Sequence, residues 1–508
     1  MDRVRAGPWG ILIPGVAGGF PVNTQTSSQS LSCACSSAFF ARSGVLRGGL
    51  ALAAVLSLGL ASGCGRSSAP EQQVAPEGVA HSSAAPAQRA PAVSASPASA
   101  ADGPARRLAD IPFEYSWDLQ FPVPVHASWI SPATPDVVYF QLRNGKIHAV
   151  DTMSGKTKWE TRALPRLVEH TPTVARVRLS SERRAEMGVT RTFDTRLYAI
   201  AGDFLFCFDA EYGQLIWRHD LGSSGGRGFL PSTSPVFQGS LGSQRIFIGD
   251  WAGRIHALTY DEETSTPYWL WQWNLRAVPL ANPIAASDGL TYIADIEGRL
   301  HCFSTERDRR WTFDTVSRLT APPLLRGRTA YLGSRANVLH VLNRLSGEEV
   351  ARVVLPGPVT RQPIAFNNQS DRIFLWTGSG EQLALHSMRS LPDSVEFEDV
   401  DQFPLEVQRI QLQWSLPGVD QLVSSTPRHL LVTRQGSSDR ILAVNRHTGV
   451  VDWHWSINAD RAGGEGRMGR GGPVSHLVTY HDATDANRSI FTVDDKGYVV
   501  AYRLFGQF

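Results

Sequence analysis

One short phrase recurs eight times along the C-terminal three quarters of the chain, and it limits what the chain can fold into. Its clearest copy is Ala149-Val150-Asp151, then Gly155, then Trp159. Cys207-Phe208-Asp209, Gly213 and Trp217 repeat it at the same spacing, as do Ala443-Val444-Asn445, Gly449 and Trp453. Val341-Leu342-Asn343 and Gly347 keep the spacing and end in Ala351, while weaker copies centre on Ala257, Cys302, Ala384 and Ala501. The distance from Ala149 to Ala501 is 352 residues in seven steps, about 50 per repeat. A unit of that length holding several short strands has the signature of a propeller blade. A blade cannot bury its own faces alone, so the core forms between blades and function falls to faces and loops.

The local grammar agrees. A Pro stands near the expected start of the first strand in seven units: Pro172, Pro235, Pro283, Pro322, Pro363, Pro427 and Pro473. Proline is tolerated there because no ladder donor is required. The first unit lacks this signal, and its first strand is expected near Ser128. Asp250 to Gly253, Asp295 to Gly298 and Asp494 to Gly497 read as tight hairpins whose Gly supplies a positive φ. Asn337, the next-best residue for that conformation, stands in the fifth unit. The third strand alternates with period two, as in Gly145 to Asp151, and the fourth carries the Trp. Trp117, Trp159, Trp217, Trp273, Trp311, Trp414 and Trp453 are therefore expected to pack between blades. The last unit reaches Phe508 without a Trp strand, and Phe113 to Leu119 stands alone with Trp117. An all-β, eight-bladed propeller of four-stranded antiparallel blades, closed by that N-terminal strand, satisfies both facts and leaves no open ring edge.

Two insertions break the period. Residues 176–195 carry five arginines, among them Arg183 and Arg184, between the first and second strands of blade two. Residues 387–410 carry an acidic run including Glu396 and Asp399 between the third and fourth strands of blade six. Gly-rich inter-blade loops bring Arg227 and Arg467 to the opposite face. These six charged residues are the candidate partner contacts. A charge run is usually a solvated loop, and the Gly-rich loops lack the following helix that a phosphate cradle needs.

The N-terminal quarter is of another kind. Arg42 and Arg47 precede the apolar run Leu50 to Leu60, followed by Ala61-Ser62-Gly63-Cys64. The run is shorter than the roughly 20 residues a spanning helix needs, and basic start, short apolar core and small residues make an export signal. Residues 65–107 are rich in Ala, Pro and Ser and too poor in large apolar residues to bury a core. Their coil span is on the order of 35 Å. The expected domains are an over-extended or disordered 1–41, a signal at 42–63, a tether at 64–107 and the propeller at 108–508. Only Cys207 and Cys302 fall in the body. Both sit in the small-residue column of non-adjacent blades, so they read as buried hydrophobes rather than a disulfide. With net charge +2 and 19% charged residues, no nucleic-acid bias appears.

The Asp/Asn, Gly and Trp phrase resembles the pyrroloquinoline-quinone-type propeller repeat over about residues 112–508. Ala61-Ser62-Gly63-Cys64 resembles a bacterial lipobox, which implies cleavage before Cys64 and lipidation of its thiol. Signal, tether and repeat together resemble the propeller lipoproteins of the bacterial outer-membrane β-barrel assembly machinery. That resemblance implies a monomeric, non-catalytic scaffold, exported, lipid-anchored on the periplasmic side of the outer membrane and docking an envelope protein. A quinone-dependent dehydrogenase and a funnel that binds a carbohydrate or other small ligand are the alternatives. Quinoproteins of this repeat type carry an adjacent Cys pair, which this chain lacks, so no cofactor is expected. His148, His256, His301 and His340 recur once per blade beside the small-residue column. Such repetition reads as a strand position rather than as a metal site.

Overall fold

The computed structural model describes residues 103–504 apart from 108–109, 112, 163, 180, 225–228, 241–242, 261–265, 280–283, 286–287, 367–370, 391–409, 464–473 and 480–488. All of these lie in one of the two units into which the chain divides, Ser83–Phe508; the other, Met1–Ser82, falls wholly outside the described residues.

Eight antiparallel sheets follow one another along the chain and form an eight-bladed β-propeller. Blade one is Val125–Ser131, Thr134–Leu142, Ile147–Asp151 and Thr157–Glu160, paired in sequence order. Among the described residues, blade six has three full strands, and its first-strand position is held by isolated bridges, Val359 to Thr377 and Ile364 to Phe374. In blade eight, Phe113–Gln120 pairs with Tyr498–Leu504, with Trp117 opposite Ala501. The strand contributed by the N-terminus thus closes the ring.

The apolar core is distributed over the seams. Eight buried clusters are present, and each joins two neighbouring blades. Trp129, Tyr139 and Trp159 of blade one, for example, pack with Leu197, Phe206 and Phe208 of blade two. The alternating third strands make this possible, because their inward residues face one neighbour and their outward residues the other.

Four details differ from the sequence reading. The first strand of blade one begins at Val125, directly after Pro124, so Pro124 is the missing member of the Pro column. Pro427 lies between Val419–Ser425 and His429–Arg434, in the turn joining the first two strands of blade seven. That blade starts at Val419, with only Gly418 between it and Pro417, leaving no room for the usual loop. In blade six the small-residue position is Ser387, opposite Trp414, and Ala384 lies three residues earlier opposite Pro417. Finally, Ala105–Arg106 forms a fifth, parallel strand on Val451–Ser456 of blade seven. The His454 amide donates to the Pro104 carbonyl at 3.1 Å. The last residues of the expected tether are therefore ordered along the outer edge of a blade. Among the described residues, no helix is long and apolar enough to cross a membrane.

Candidate functional site

The seams are fastened by a repeated contact that also fixes what each face displays. Trp159 stands opposite Ala149, and the small residue leaves room for the indole beside it. The ring reaches the next blade, where its Nε1 donates to the Ala210 carbonyl at 2.9 Å. Trp117 donates to Thr152 O at 3.0 Å, Trp311 to Leu345 O at 3.1 Å and Trp414 to Arg446 O at 3.0 Å. The repeated spacing to Gly has a steric cause. A Cβ built on Gly155, Gly213, Gly347 or Gly449 would lie 2.5 to 2.6 Å from the indole of the preceding blade. Trp217 and Trp453 occupy the same register opposite Cys207 and Ala443. In blade three the position belongs to Trp271, opposite Ala257, whose Nε1 donates to Thr305 O at 3.4 Å. Trp273 lies two residues on, opposite Ile255, and touches Phe303 of the next blade with ring centres 5.6 Å apart. Cys207 and Cys302 are free and buried, and burial pushes both thiols up to about 12.

The histidine column is a set of separate structural bonds. His256 bonds Asp250 at 2.9 Å and His301 bonds Asp295 at 3.1 Å, both carboxylates being fully buried. Arg254 and Arg299 reach the same carboxylates at 2.7 and 2.9 Å. Burial alone drives the Asp250 and Asp295 carboxyls up, but the His hydrogen bonds, backbone amides and cationic neighbours outweigh it, and both titrate below the ordinary value. His340 bonds Glu349 at 2.6 Å, and His148 lies 3.5 Å from Glu160. A fifth member, His386, bonds Thr377 at 2.6 Å; the misplaced column at Ala384 had hidden it. Each histidine is held within its own blade. Among the described residues no group of three or more His, Cys, Asp or Glu is arranged to hold a metal ion.

The two faces differ. First-to-second and third-to-fourth connections share one face, here the insertion face. Second-to-third hairpins and inter-blade loops share the other, the turn face. On the insertion face the 176–195 segment contains the helix Ser181–Met187, on which Arg184 is half-buried. The Arg183 side chain, and Glu396, Asp399, Arg227 and Arg467, lie outside the described residues, as does Cys64.

The turn face of blades three to five carries a patch that the sequence reading missed. The Trp251 amide donates to the Leu230 carbonyl at 2.9 Å, and the Ile296 amide to the Val278 carbonyl at 3.0 Å. These bonds tie each hairpin to the loop entering its blade and set apolar side chains side by side. Trp251 is 61% exposed and Leu230 56%, with Ile296 also exposed. The Arg335 amide bonds the Arg318 carbonyl at 3.0 Å, so the third step of the series is basic. Arg276, Arg318 and Arg335 are exposed and make no ion pair among the described residues. Beside them Val316 is 94% exposed with φ of 59°, held by a 2.7 Å bond from its amide to the Asp314 carboxylate. A β-branched residue in the left-handed region costs about 1–2 kcal/mol, and such strain gathers at functional surfaces. An exposed Trp in a row of apolar and Arg side chains has the composition of a protein-binding hot spot.

Comparison with known proteins follows this geometry. Residues 114–262 and 260–506 match the family model described as outer membrane protein assembly factor BamB. The crystal structure of BamB from Moraxella catarrhalis is similar at 13% identity and a TM-score of 0.49, covering 78% of this chain and 98% of that one. Quinohemoprotein alcohol dehydrogenase ADHIIG from Pseudomonas putida HK5 is similar at 11% identity and 0.49, covering 78% and 76%. The quinohemoprotein alcohol dehydrogenase of Comamonas testosteroni is similar at 12% identity and 0.49, covering 78% and 77%. No curated protein matches.

Proposed function

The chain belongs to the family of the outer membrane protein assembly factor BamB, and from that premise we propose that it is a non-catalytic scaffold for outer-membrane protein assembly. Export, cleavage before Cys64 and a lipid anchor there hold the propeller on the periplasmic side of the outer membrane. The tether lets the body reach a partner some tens of ångströms from the lipid surface. The partner is an envelope protein, and it docks on the turn face of blades three to five.

The observation that carries this reading is the run Leu230, Trp251, Ile296 and Val316 beside Arg276, Arg318 and Arg335. Large apolar side chains exposed at the corresponding turns of successive blades are the kind of surface feature that marks an interaction site. The arginines favour a partner surface that is acidic at its rim and apolar at its centre. The repeated His bonds and indole contacts hold the fold together and leave the faces free for binding.

The test is complementation. Depleting the protein should lower the amount of folded β-barrel protein in the outer membrane, and the wild-type gene should restore it. A Trp251→Glu, Ile296→Glu double variant should accumulate to normal levels and fail to restore it. Unchanged barrel levels on depletion would remove the assembly role. Full rescue by the double variant would remove the docking face and leave the role standing.

A further inference from the structure

The outer strand of a blade leaves one row of backbone amides and carbonyls unpaired, and proteins blunt such edges with charge or cover them. Glu114, Lys158, Arg218, Arg309 and Arg352 stand on the outer strands of blades eight, one, two, four and five. The edge of blade seven, Val451–Ser456, is covered by Ala105–Arg106. Leu412–Pro417 of blade six has no charge, but it ends in a proline that has no amide to offer. Blade three differs. Its outer strand, Pro267–Asn274, is eight residues long, carries no charged residue and ends its sheet with no further strand among the described residues. Tyr268 on it is 48% exposed, Gln272 is exposed, and Trp271 and Trp273 are half-buried.

Blade seven shows what such an edge accepts. Residues 103–106 lie along it in parallel, with Ala105 opposite His454 and Arg106 opposite Trp455. The His454 amide donates to the Pro104 carbonyl at 3.1 Å, and its Nδ1 lies 2.9 Å from the Gly103 carbonyl. A Cβ on Gly103 would lie 2.5 Å from the Val451 carbonyl oxygen, so the approach needs a small residue there. The edges of blades seven and three are equivalent in register. Trp453 opposes Ala443 and Trp271 opposes Ala257, each beside a bulge at the same step. Gln272 therefore stands where His454 stands. Its amide turns outward in the same way, and its side chain offers an N–H donor in place of the imidazole.

The chain's own basic segment does not suit this second edge. Arg106 would come opposite Trp273, whose ring already has Arg307 at 5.9 Å and Arg309 at 5.7 Å. We propose that the outer edge of blade three binds an extended, uncharged segment of a partner protein by strand addition, parallel and in the register that residues 103–106 take on blade seven. The segment carries a small residue at the position of Gly103 and alternating apolar and polar residues after it. Backbone bonds to the outward groups of Gln272 and its alternate neighbours hold it, and the alternation matches the two sides of the strand. The site lies on the circumference of the ring and does not depend on the role of the turn-face patch.

The test uses the full chain in detergent and a synthetic peptide of one glycine followed by alternating valine and threonine, blocked at both ends and read by fluorescence anisotropy. Wild type should bind it saturably, one peptide per chain. Gln272→Pro removes an outward amide without touching the ladder, as edge strands tolerate. It should weaken binding by about tenfold or more, the loss of a backbone bond adding to the clash of the ring. Should that variant not fold, Gln272→Lys places a charge on the edge and should weaken binding in the same direction. The same peptide methylated on alternate amides should not bind. The Trp251→Glu, Ile296→Glu variant should bind as wild type does, so the edge and the docking patch fail separately. No binding by wild type, or equal binding by both Gln272 variants, would overturn the proposal. Equal binding of the methylated peptide would reduce it to apolar adsorption and overturn strand addition. A dimer of the free chain that Gln272→Pro abolishes would overturn it in favour of a second copy's blade three as the occupant.

Discussion

Trp159→Ala is the perturbation that best tests how the blades are joined. The side chain is buried, its ring rests on Gly213, and its Nε1 bonds the buried Ala210 carbonyl at 2.9 Å. Burying a Trp removes about 150–250 Å² from water, worth roughly 4–6 kcal/mol at about 25 cal/mol per Å². Partial collapse of the seam brings the expected loss to about 3–5 kcal/mol. With an unfolding entropy of about 2.1 cal/mol/K per residue, a chain segment of roughly 400 residues shifts Tm by about 1.2 °C per kcal/mol. The variant should therefore melt about 4–6 °C below wild type by circular dichroism. Gly213 supplies the specific control. Its φ is 72°, and an added Cβ would lie 2.5 Å from the Trp159 ring. Gly213→Ala should cost strain plus clash in the wild type, and strain alone once Trp159 is Ala. The double-mutant coupling should exceed about 1 kcal/mol, well above the roughly 0.3–0.5 kcal/mol scatter of independent sites. Additive costs would refute the claim that Gly and Trp form one inter-blade unit.

Four other outcomes are expected. Deleting residues 108–120 strips Phe113–Gln120 from Tyr498–Leu504 and exposes an edge strand, so the remaining body should aggregate or melt far below the intact chain in a thermal scan. Burial lowers His386 to about 4, so its stabilising contribution is complete above about pH 6.5 and fades as pH falls toward 4. His386→Gln should flatten the stability profile in that window, as read by denaturant midpoints across pH. Asp250 and Asp295 titrate below the ordinary carboxylate value, so their contribution is lost only as pH falls below about 4. An Asp250→Asn variant should lose stability at neutral pH and show a shallower acid transition. Cys64→Ser should block maturation or release the protein from the membrane fraction, and normal processing with unchanged fractionation would end the anchor proposal.

The phrase with its fixed Asp/Asn, Gly and Trp spacing made the fold legible, because each of those residues answers a local demand. Asp151 caps its turn by accepting from the Met153 and Ser154 amides, and Gly155 needs both a positive φ and no Cβ under Trp117. Ring closure was legible because an orphan Trp strand and a blade without one sat at opposite ends. Errors arose where local pattern is degenerate. Trp269, Trp271 and Trp273 alternate on one strand, so period two cannot tell which faces Ala257; a bulge between Ala257 and Leu258 decides it. In blade six a short 3₁₀ turn, Gly380–Gln382, and a long insertion shift the column to Ser387. The parallel strand Ala105–Arg106 carries no apolar pattern. It is held by backbone bonds and by Arg106 over the Trp453 ring at 5.7 Å. The turn-face patch was illegible for a different reason. Leu230 and Trp251 are separated by two strands and meet through a hairpin-to-loop bond, and Ile296 takes the corresponding hairpin position of the next blade, bonded to Val278.

Docking of an envelope protein on the turn face of blades three to five is the proposal on which the function rests. Site-specific photocrosslinking in intact cells tests it most directly, with the probe placed at Trp251, at Ile296 and, on the insertion face, at exposed Tyr212. One shared adduct should form from the first two positions and none of that mass from Tyr212. An adduct from Tyr212 alone, or the same adduct from all three, would contradict it.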